Sequence, residues 1–405
     1  MPLMSHKGPA MPRLLLGAKV VVAPLLCLLW LNTASSSEAT MTGVDGRELP
    51  DHTEVRSLAE QGMTWLLQHQ QDDGSLFDGP MFRLGITAFG TLALLENGMD
   101  ADDPTIQKSV QWLLDHQQDD GGFYDPQEGL SNYGTSATLM VLARVDDVDE
   151  EVITRARDHL MGNQNVNDDS NLYGGFAYGS DDEGREDLSN TAMAIQGLRA
   201  AGVPADHPSM QRALAFVQRT QDLSSVNDQE WAGNSGGATY SPNPERAGGS
   251  HADGVTTAEA EGDHAVQPVG TMTYALITSY INLDVPADDP RVQTALRWVG
   301  EHYRFDANPG MAAEHERDGL FYYYLMMAAT FDVVGTTRLE TPEGEADWRI
   351  DLFDHIRQSA IIDEDQGKAF WVNESRRWGE GIPHLTTTYM LRALARVHDS
   401  LPPQP

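Results

Sequence analysis

The fold of this chain is decided by the stretch His116-Gln117-Gln118-Asp119-Asp120-Gly121-Gly122-Phe123-Tyr124. An amphipathic helical pattern precedes this stretch, and a helical pattern that is apolar almost all round follows it. Aspartate before glycine is a turn signal, because glycine adopts backbone angles that other residues resist. The stretch therefore predicts a turn that joins an outer helix to a buried inner helix.

The same arrangement recurs along the chain six times, complete or eroded. The turn glutamine stands at equal spacing at Gln70, Gln117 and Gln164, and Gln221 takes its place in the fourth unit. The predicted inner helices span residues 82–96, 131–145, 189–201, 271–282, 320–334 and 385–398. An open stack of such units would leave the apolar sixth inner helix without a partner. We therefore predict an all-α fold over residues 54–399, an (α/α)6 toroid of six helix hairpins whose second helices form the inner ring.

The segments outside the toroid have their own signals. Lys7, Arg13 and Lys19 precede an apolar run over residues 20–31, and small polar residues follow, which is the order of a signal peptide. The run is shorter than the roughly 20 residues that a bilayer span needs. Residues 1–36 are thus predicted to be a signal peptide, with a retained membrane anchor as the alternative. Either form predicts export, to the periplasm or the extracellular space.

Three further segments complete the predicted domain organisation. Residues 37–53 are a linker and residues 400–405 a tail. Residues 232–267 are rich in glycine, serine, proline and acidic residues, a composition typical of a mobile loop. This loop interrupts the fourth unit between its turn and its inner helix.

Net charge and cysteine content exclude several classes of function. The net charge is −34, so the chain lacks the basic face that a nucleic-acid-binding protein needs to neutralise phosphates. The single cysteine, Cys27, lies in the N-terminal segment, which excludes disulfides and thiolate metal sites elsewhere. We expect a monomer without metal or cofactor. Calcium at aspartate pairs such as Asp72-Asp73 is the alternative for the turns, although their spacing does not match an EF-hand loop.

Three strings identify a family resemblance. Gln118-Asp119-Asp120-Gly121-Gly122-Phe123, Gln71-Asp72-Asp73-Gly74-Ser75-Leu76-Phe77 and Tyr173-Gly174-Gly175-Phe176 resemble the repeats of prenyltransferase and squalene-oxidase repeat proteins, relatives of the terpenoid cyclases. The resemblance covers residues 54–398 and implies the toroid fold. Because this fold hosts cyclases, transferases and binding proteins, the resemblance does not by itself assign an activity.

The activities known on this fold suggest specific motifs to look for. A class II terpenoid cyclase protonates an alkene with an acid from an Asp-x-Asp-Asp motif. The nearest string here, Asp147-Val148-Asp149-Glu150, departs at its last position and stands where an outer helix begins, so helix capping explains it better. The zinc site of protein prenyltransferases and the thioester of related toroids both need a cysteine, which this part of the chain lacks.

Candidate site residues stand where the inner helices begin. Asp318 precedes an aromatic run and is the candidate general acid, with His384 as a candidate base and Asp187 as a third catalytic candidate. The ligand-binding candidates are Arg83, Asn132, Tyr133, Asn190, Tyr322, Tyr323, Trp371 and Trp378. The alternative for the acid and the histidine is helix capping, and for the aromatic residues it is core packing. Recurrent threonines suggest a somewhat polar lumen, at Thr87, Thr191, Thr273, Thr387 and Thr388.

Three hypotheses of function remain open from the sequence. The first is a protein that binds a small lipid-like or glycan ligand in the toroid. The second is an enzyme, either an acid-initiated, terpenoid cyclase-like lyase or isomerase or a polysaccharide-active enzyme. The third is an interaction module that acts through its acidic surface or through the loop over residues 232–267.

Overall fold

The computed structural model describes residues 41–179, 184–243 and 267–403, and twelve α-helices lie within them. The outer helices are α1 (His52–Leu67), α3 (Pro104–Leu114), α5 (Glu150–Gly162), α7 (Pro208–Thr220), α9 (Pro290–Glu301) and α11 (Trp348–Ser359). The inner helices are α2 (Arg83–Glu96), α4 (Ser131–Leu142), α6 (Leu188–Ala200), α8 (Gly270–Asn282), α10 (Leu320–Val334) and α12 (Pro383–Ser400). Every predicted inner helix is present, with ends that differ by three residues at most.

The inner helices form a closed ring. Each even-numbered helix packs against the next, and α12 packs against α2, so that the sixth unit closes onto the first. The odd-numbered helices pack on the outside of this ring. The side chains of α8 and α10 are buried almost all round, whereas α3 and α5 bury one face. The predicted all-α (α/α)6 toroid is confirmed.

Recurrent glutamines attach each turn to the following unit. The Gln117 side-chain amide donates to the Gly121 carbonyl in its own turn and to the Val152 carbonyl in the first turn of α5, both at 3.0 Å. Equivalent pairs of bonds occur at the other three turn glutamines, Gln70, Gln164 and Gln221. One side chain thus fixes the turn and the position of the next outer helix together.

Recurrent threonines hold the other side of the turn. The Thr135 hydroxyl accepts the Phe123 backbone N–H at 2.8 Å and thereby joins the turn to α4. The same bond to a turn N–H is made by Thr87, Thr191, Thr273 and Thr387. These threonines are fully buried and face the turn backbone. The expectation that they make the lumen polar is therefore wrong, because their hydroxyls are already used in the turns. The fifth predicted threonine, Thr388, is also fully buried and donates to the Leu385 carbonyl within α12.

A buried ion cluster joins the first and last units. Glu96 at the end of α2 accepts from Arg392 at 2.8 Å and from Arg396 at 3.1 Å, both on α12. Arg144 lies 3.6 Å from the same carboxylate. Although burial opposes ionisation, these arginines hold the pKa of Glu96 well below its ordinary value. The cluster is the polar part of ring closure, at the opposite end of the inner helices from their N-termini.

The structure also contains elements that the sequence did not predict. Two short antiparallel hairpins lie in the last third of the chain, β1 (Arg338–Thr341) with β2 (Gly344–Asp347) and β3 (Ile361–Asp363) with β4 (Lys368–Phe370). A 3-10 turn, Arg377–Gly379, precedes α12.

The acidic string Asp147-Val148-Asp149-Glu150 caps a helix, as the sequence predicted. The Asp149 carboxylate accepts the Glu151 N–H at the start of α5.

The predicted mobile loop and N-terminal segments are described only in part. In residues 232–243, Ala238 pairs with Gln221, and the Tyr240 carbonyl accepts the Leu188 N–H at 2.8 Å. This first part of the predicted loop is therefore packed, while residues 244–266 lie outside the described residues. The predicted signal peptide or anchor, residues 1–36, also lies outside them. Within the described residues no helix is long and apolar enough to cross a membrane.

Candidate functional site

A cavity of about 240 Å³ lies inside the inner ring, where the inner helices begin. All six inner helices contribute to its wall through residues of their first turns or the residue just before them. Among the lining residues are Phe82, Leu84, Gly85, Ile86, Phe89, Tyr124, Glu128, Tyr133, Tyr178, Ser189, Tyr240, Thr271, Met272, Tyr322, Trp378, Glu380 and Tyr389. The wall is predominantly aromatic and aliphatic, and among the described residues that line it some are acidic and none is lysine, arginine or histidine.

Two strained aromatic residues stand on this wall. Phe82 and Trp378 have φ values of 63° and 51°, a region that bulky side chains seldom adopt. Trp378 is 41% exposed and Phe82 is half-buried, which places both toward the opening of the cavity. Their loops meet, because a Cβ on Gly379 would lie 3.5 Å from the Phe82 ring. Such strain is concentrated at functional sites, where the surrounding structure maintains it.

Glu380 is the principal titratable group of the cavity. Its carboxylate oxygens accept the Tyr322 backbone N–H at 2.7 Å and the Asn373 side-chain amide at 2.6 Å. The side chain is almost completely buried. Burial raises the pKa of Glu380 to about 7, because the hydrogen bonds that favour the carboxylate only partly offset desolvation and the nearby Asp318 opposes a second negative charge. A substantial fraction of Glu380 is thus protonated at neutral pH.

A second acidic side chain, Glu128, caps a different inner helix. It accepts the Phe82 N–H at 2.7 Å, just before α2, as Glu380 does at the start of α10. Burial also raises the pKa of Glu128. The positive end of the capped helix lowers the pKa of each carboxyl group, whereas the apolar surroundings raise it.

Hydroxyl groups on the cavity wall also lie in pairs. The Tyr133 hydroxyl and the Ser189 hydroxyl form a short hydrogen bond, and the Tyr178 and Tyr240 hydroxyls lie 2.8 Å apart. Burial raises the pKa of all three tyrosines, so they stay protonated at physiological pH. In each pair one hydroxyl donates a hydrogen bond to the other.

The predicted residues Asp187, Asn190 and Asn132 form a buried network behind this wall. The Asp187 carboxylate accepts the backbone N–H of Asn190 at 2.7 Å and its side-chain amide at 2.9 Å. Asn132 in turn donates to the Asn190 side-chain oxygen at 3.1 Å. Asp187 is the N-cap of α6, and none of the three lines the cavity. The network positions the first turns of α4 and α6, which carry Tyr133 and Ser189.

The other predicted residues divide between the cavity and the surrounding core. Tyr133, Tyr322 and Trp378 line the cavity. Asp318 lies beside it, where its carboxylate accepts from Ser375 and lies 3.0 Å from the His315 ring nitrogen. The charge of Asp318 beside Glu380 is therefore its influence on the cavity.

Three further predicted residues, Arg83, Tyr323 and Trp371, also lie outside the cavity wall. Arg83 donates to the Phe77 carbonyl and pairs with Asp73 at 2.5 Å. The Tyr323 hydroxyl donates to the Arg304 carbonyl, and the fully buried Trp371 indole donates to the Ile356 carbonyl. These three side chains support the toroid.

His384 lies in an aromatic cluster beside α1. Its ring centroid is 4.8 Å from those of Trp65, His69 and Phe77. Burial, assisted by the neighbouring His69, lowers the pKa of His384 to about 4. The imidazole is therefore neutral at physiological pH, and it stands away from the cavity lining.

The residues that sequence reasoning missed share one property. Glu380, Glu128, Tyr178 and Tyr240 lie in loops that precede or face the inner helices rather than in the helices themselves. The sequence offered one signal for Glu380, a single acid between Gly379 and Gly381, two residues after Trp378. The segment has no counterpart in the other units, so the repeat pattern did not highlight it.

Comparisons with known proteins agree with this fold. Residues 106–228 match the family described as squalene-hopene cyclase N-terminal domain. No curated protein matches the chain by sequence. The family match covers a minority of the chain, within units two to four of the toroid.

Several solved structures share the toroid. A type II terpene cyclase, MstE from Scytonema, superposes with a TM-score of 0.52 at 14% identity, over 87% of this chain and 100% of that one. A D-mannose isomerase superposes with a TM-score of 0.54 at 13% identity, over 87% and 99%. An α-1,6-mannanase of Salegentibacter sp. HEL1_6 gives 0.50 at 11% identity, over 86% and 100%. At these identities the likeness concerns the fold alone. Together with the family match, it confirms the predicted resemblance to terpenoid cyclase-like repeat proteins.

Proposed function

We propose that this terpenoid cyclase-like toroid protein binds a small apolar ligand in the cavity of its inner ring. The observation that carries the proposal is the cavity wall, which is enclosed by six helices and is mainly aromatic and aliphatic. Its volume of about 240 Å³ is close to the lower limit of small-molecule pockets, roughly 300 Å³. Transfer of an apolar ligand from water to such a wall is favoured by the hydrophobic effect.

A glycan ligand fits this wall less well. Sugar hydroxyls lose water on binding and need hydrogen-bond partners in return. Here the hydroxyls of Tyr133, Ser189, Tyr178 and Tyr240 are already paired with one another. The aromatic and aliphatic faces that make up most of the wall do not replace the hydrogen bonds that a buried sugar gives up.

Gly85 allows the cavity to be filled without disturbing the fold. It lies in the first turn of α2 and lines the cavity, and a Cβ at this position would meet no atom within 4 Å. A Gly85→Leu variant should therefore retain or gain stability, since leucine is a better helix former than glycine by about 0.8 kcal/mol. Its side chain would occupy the space of the ligand.

The binding test uses geraniol as an apolar probe and mannose as a sugar probe, measured by isothermal titration calorimetry. Wild type should bind geraniol and not mannose, and Gly85→Leu should bind neither. Gly162→Leu is the matched control, because Gly162 is also helical with open space around it, but lies on outer helix α5, away from the cavity. Mannose binding, or equal geraniol binding by Gly85→Leu and wild type, would overturn the proposal.

A second candidate function is acid-initiated isomerisation of the bound ligand, favoured by the position of Glu380. A buried carboxyl group whose pKa is about 7 can donate a proton inside an apolar cavity at neutral pH. Protonation of a carbon–carbon double bond would leave the Glu380 carboxylate and a carbocation, and aromatic faces such as Phe89 and Tyr389 stabilise cations. Loss of a proton from a neighbouring carbon would give an isomer and restore the acid.

The enzyme test compares wild type with Glu380→Gln on C10 alkenes, with products identified by gas chromatography and mass spectrometry. Since a general acid contributes about 100-fold or more to the rate, Glu380→Gln should lose at least that factor while it still binds the probe. If wild type forms no product, or if Glu380→Gln turns over at the wild-type rate, Glu380 is not an acid catalyst for these alkenes.

A further inference from the structure

The cavity of the inner ring reaches different depths along different helices. On α4, α6, α8 and α10 the lining residues lie within the first four positions of the helix, for example Tyr133 on α4 and Tyr322 on α10. On α2 and α12 the lining extends to the seventh position, at Phe89 and Tyr389. Since a helix rises about 1.5 Å for each residue, these two residues lie roughly one turn further from the helix N-termini. The cavity is therefore deepest between α2 and α12.

The rings of Phe89 and Tyr389 close this deepest part. Their centroids lie 6.2 Å apart with the ring planes at 75°, and the Tyr389 ring also lies 5.6 Å from the Tyr322 ring. Phe89 is 5% exposed and Tyr389 is 8% exposed. Long side chains of a helix lean toward its N-terminus, so both rings lean toward the cavity. Together they form an aromatic surface between the two helices.

A charged layer lies on the far side of Phe89 from the cavity. The Arg392 guanidinium lies 5.7 Å from the centre of the Phe89 ring and donates to the Glu96 carboxylate at 2.8 Å. Arg392 follows Tyr389 on α12 by almost one helical turn, and Glu96 follows Phe89 on α2 by about two. An apolar chain that passed the two rings would disrupt this buried ion pair, which costs more than the burial of one or two CH2 groups gains.

The volume on the near side of the two rings gives a ligand size. An apolar cavity of about 150 Å³ in another protein holds benzene, which corresponds to about 25 Å³ for each carbon. At that ratio the present cavity, of about 240 Å³, has room for about ten carbons.

We propose that Phe89 and Tyr389 are the floor of the cavity and limit its apolar ligand to a chain of about ten carbons. This inference rests on the proposed apolar binding function and specifies the size of the ligand. It assigns Phe89 and Tyr389 as the residues that determine specificity for chain length. A smaller side chain at either position would deepen the cavity, and leucine in place of phenylalanine removes about three carbons from the floor.

The test uses straight-chain primary alcohols from hexanol to pentadecanol. Binding is followed by the change in intrinsic tryptophan fluorescence, because Trp378 lines the cavity. Each added CH2 group that enters an apolar cavity should raise the affinity about fourfold, and one that finds no room should add nothing. For wild type we therefore expect the affinity to rise up to about ten carbons and then to level off.

Two variants of the floor locate this limit. Phe89→Leu and Tyr389→Leu should each move the limit about three carbons further and leave octanol affinity close to the wild-type value, which also shows that the variant is folded. If one of them does not fold, the other decides. Phe331→Leu is the matched control, because Phe331 is a fully buried aromatic residue of inner helix α10 that lies outside the lining of the cavity. It should leave the limit unchanged.

Three results would overturn this inference. The first is a wild-type affinity that keeps rising beyond about twelve carbons. The second is an unchanged limit in Phe89→Leu and Tyr389→Leu while octanol still binds. The third is an equal extension in Phe331→Leu, which would mean that any loosening of the core admits a longer chain. In these cases apolar binding itself still stands. If wild type binds none of the alcohols, the proposed function fails and the inference with it.

Discussion

The turns between the helices use the same residue types in one unit after another, whereas the cavity of the inner ring is lined by residues that differ from unit to unit. In the turns the same contact recurs. For example, the side-chain amides of Gln117 and Gln164 each donate to a carbonyl of the next outer helix. In the cavity each unit contributes something different, for example Phe89 from α2, Tyr133 from α4 and Glu380 from the loop before α12. Repetition therefore marks the scaffold of this protein, and departure from repetition marks its site.

The largest effect on the scaffold should come from ring closure. Glu96→Gln leaves the buried Arg392 without its counter-charge and Arg396 with only the more distant Asp332, with Arg144 close by. Breaking a buried ion pair by removing one partner destabilises a protein by about 3–5 kcal/mol. We expect a loss of that size in the free energy of unfolding, measured by urea denaturation at pH 7.

Its control is an ion pair on the surface. Arg56 and Glu60 lie 3.4 Å apart on α1 with more than half of each side chain exposed. Exposed pairs contribute little, so Glu60→Gln should leave the free energy of unfolding almost unchanged. Similar losses for the two variants would mean that the arginine cluster does not stabilise ring closure.

The second-largest effect should come from a turn glycine. Gly174 has a φ of 85°, and a Cβ there would lie 1.9 Å from the Arg212 carbonyl oxygen on the next outer helix. Gly174→Ala should lower the free energy of unfolding by about 3 kcal/mol, through backbone strain together with displacement of that helix. Gly98→Ala separates the two causes, because Gly98 has a φ of 88° but open space around it. We expect about 1 kcal/mol for Gly98→Ala, and equal losses would exclude a role for the close approach.

The difference between turns and cavity also explains which parts of the structure could be predicted from the sequence. The glutamines, Asp-Gly turns and apolar helices recur, so their period predicted twelve helices and a closed ring. Glu380 and Tyr240 do not recur, and the folding of the loops brings them to the cavity. Arg83 and Tyr323 stand where inner helices begin, yet their side chains point to turn and core partners. Sequence position predicted the end of the toroid where the cavity lies, but not which side chains face it.

Glu380 allows a test of the cavity that depends on pH. Its pKa in the folded protein is about 7, whereas an unperturbed glutamate has a pKa of 4.5. Between these values the folded state holds a proton that the unfolded state has released, so stability falls as pH rises toward 7. Wild type should lose about 2 kcal/mol more than Glu380→Gln between pH 5 and pH 7. Parallel stability curves for the two proteins would show that burial does not raise the pKa of Glu380.

The smallest effect should distinguish the recurrent glutamines from one another. The Gln221 side chain is fully buried, and its amide oxygen also accepts the Tyr280 hydroxyl at 2.7 Å. Gln117 is half-buried, and its side chain makes two bonds within the described residues, both of them turn bonds. Substitution by alanine removes the same two donor bonds at both positions, but at Gln221 it also leaves the Tyr280 hydroxyl buried without a partner. Water can replace part of the lost bonding at Gln117. We therefore expect Gln221→Ala to destabilise the protein by about 1 kcal/mol more than Gln117→Ala in urea denaturation. If the order is reversed, the strength of each turn depends on its own loop geometry rather than on the burial of its glutamine.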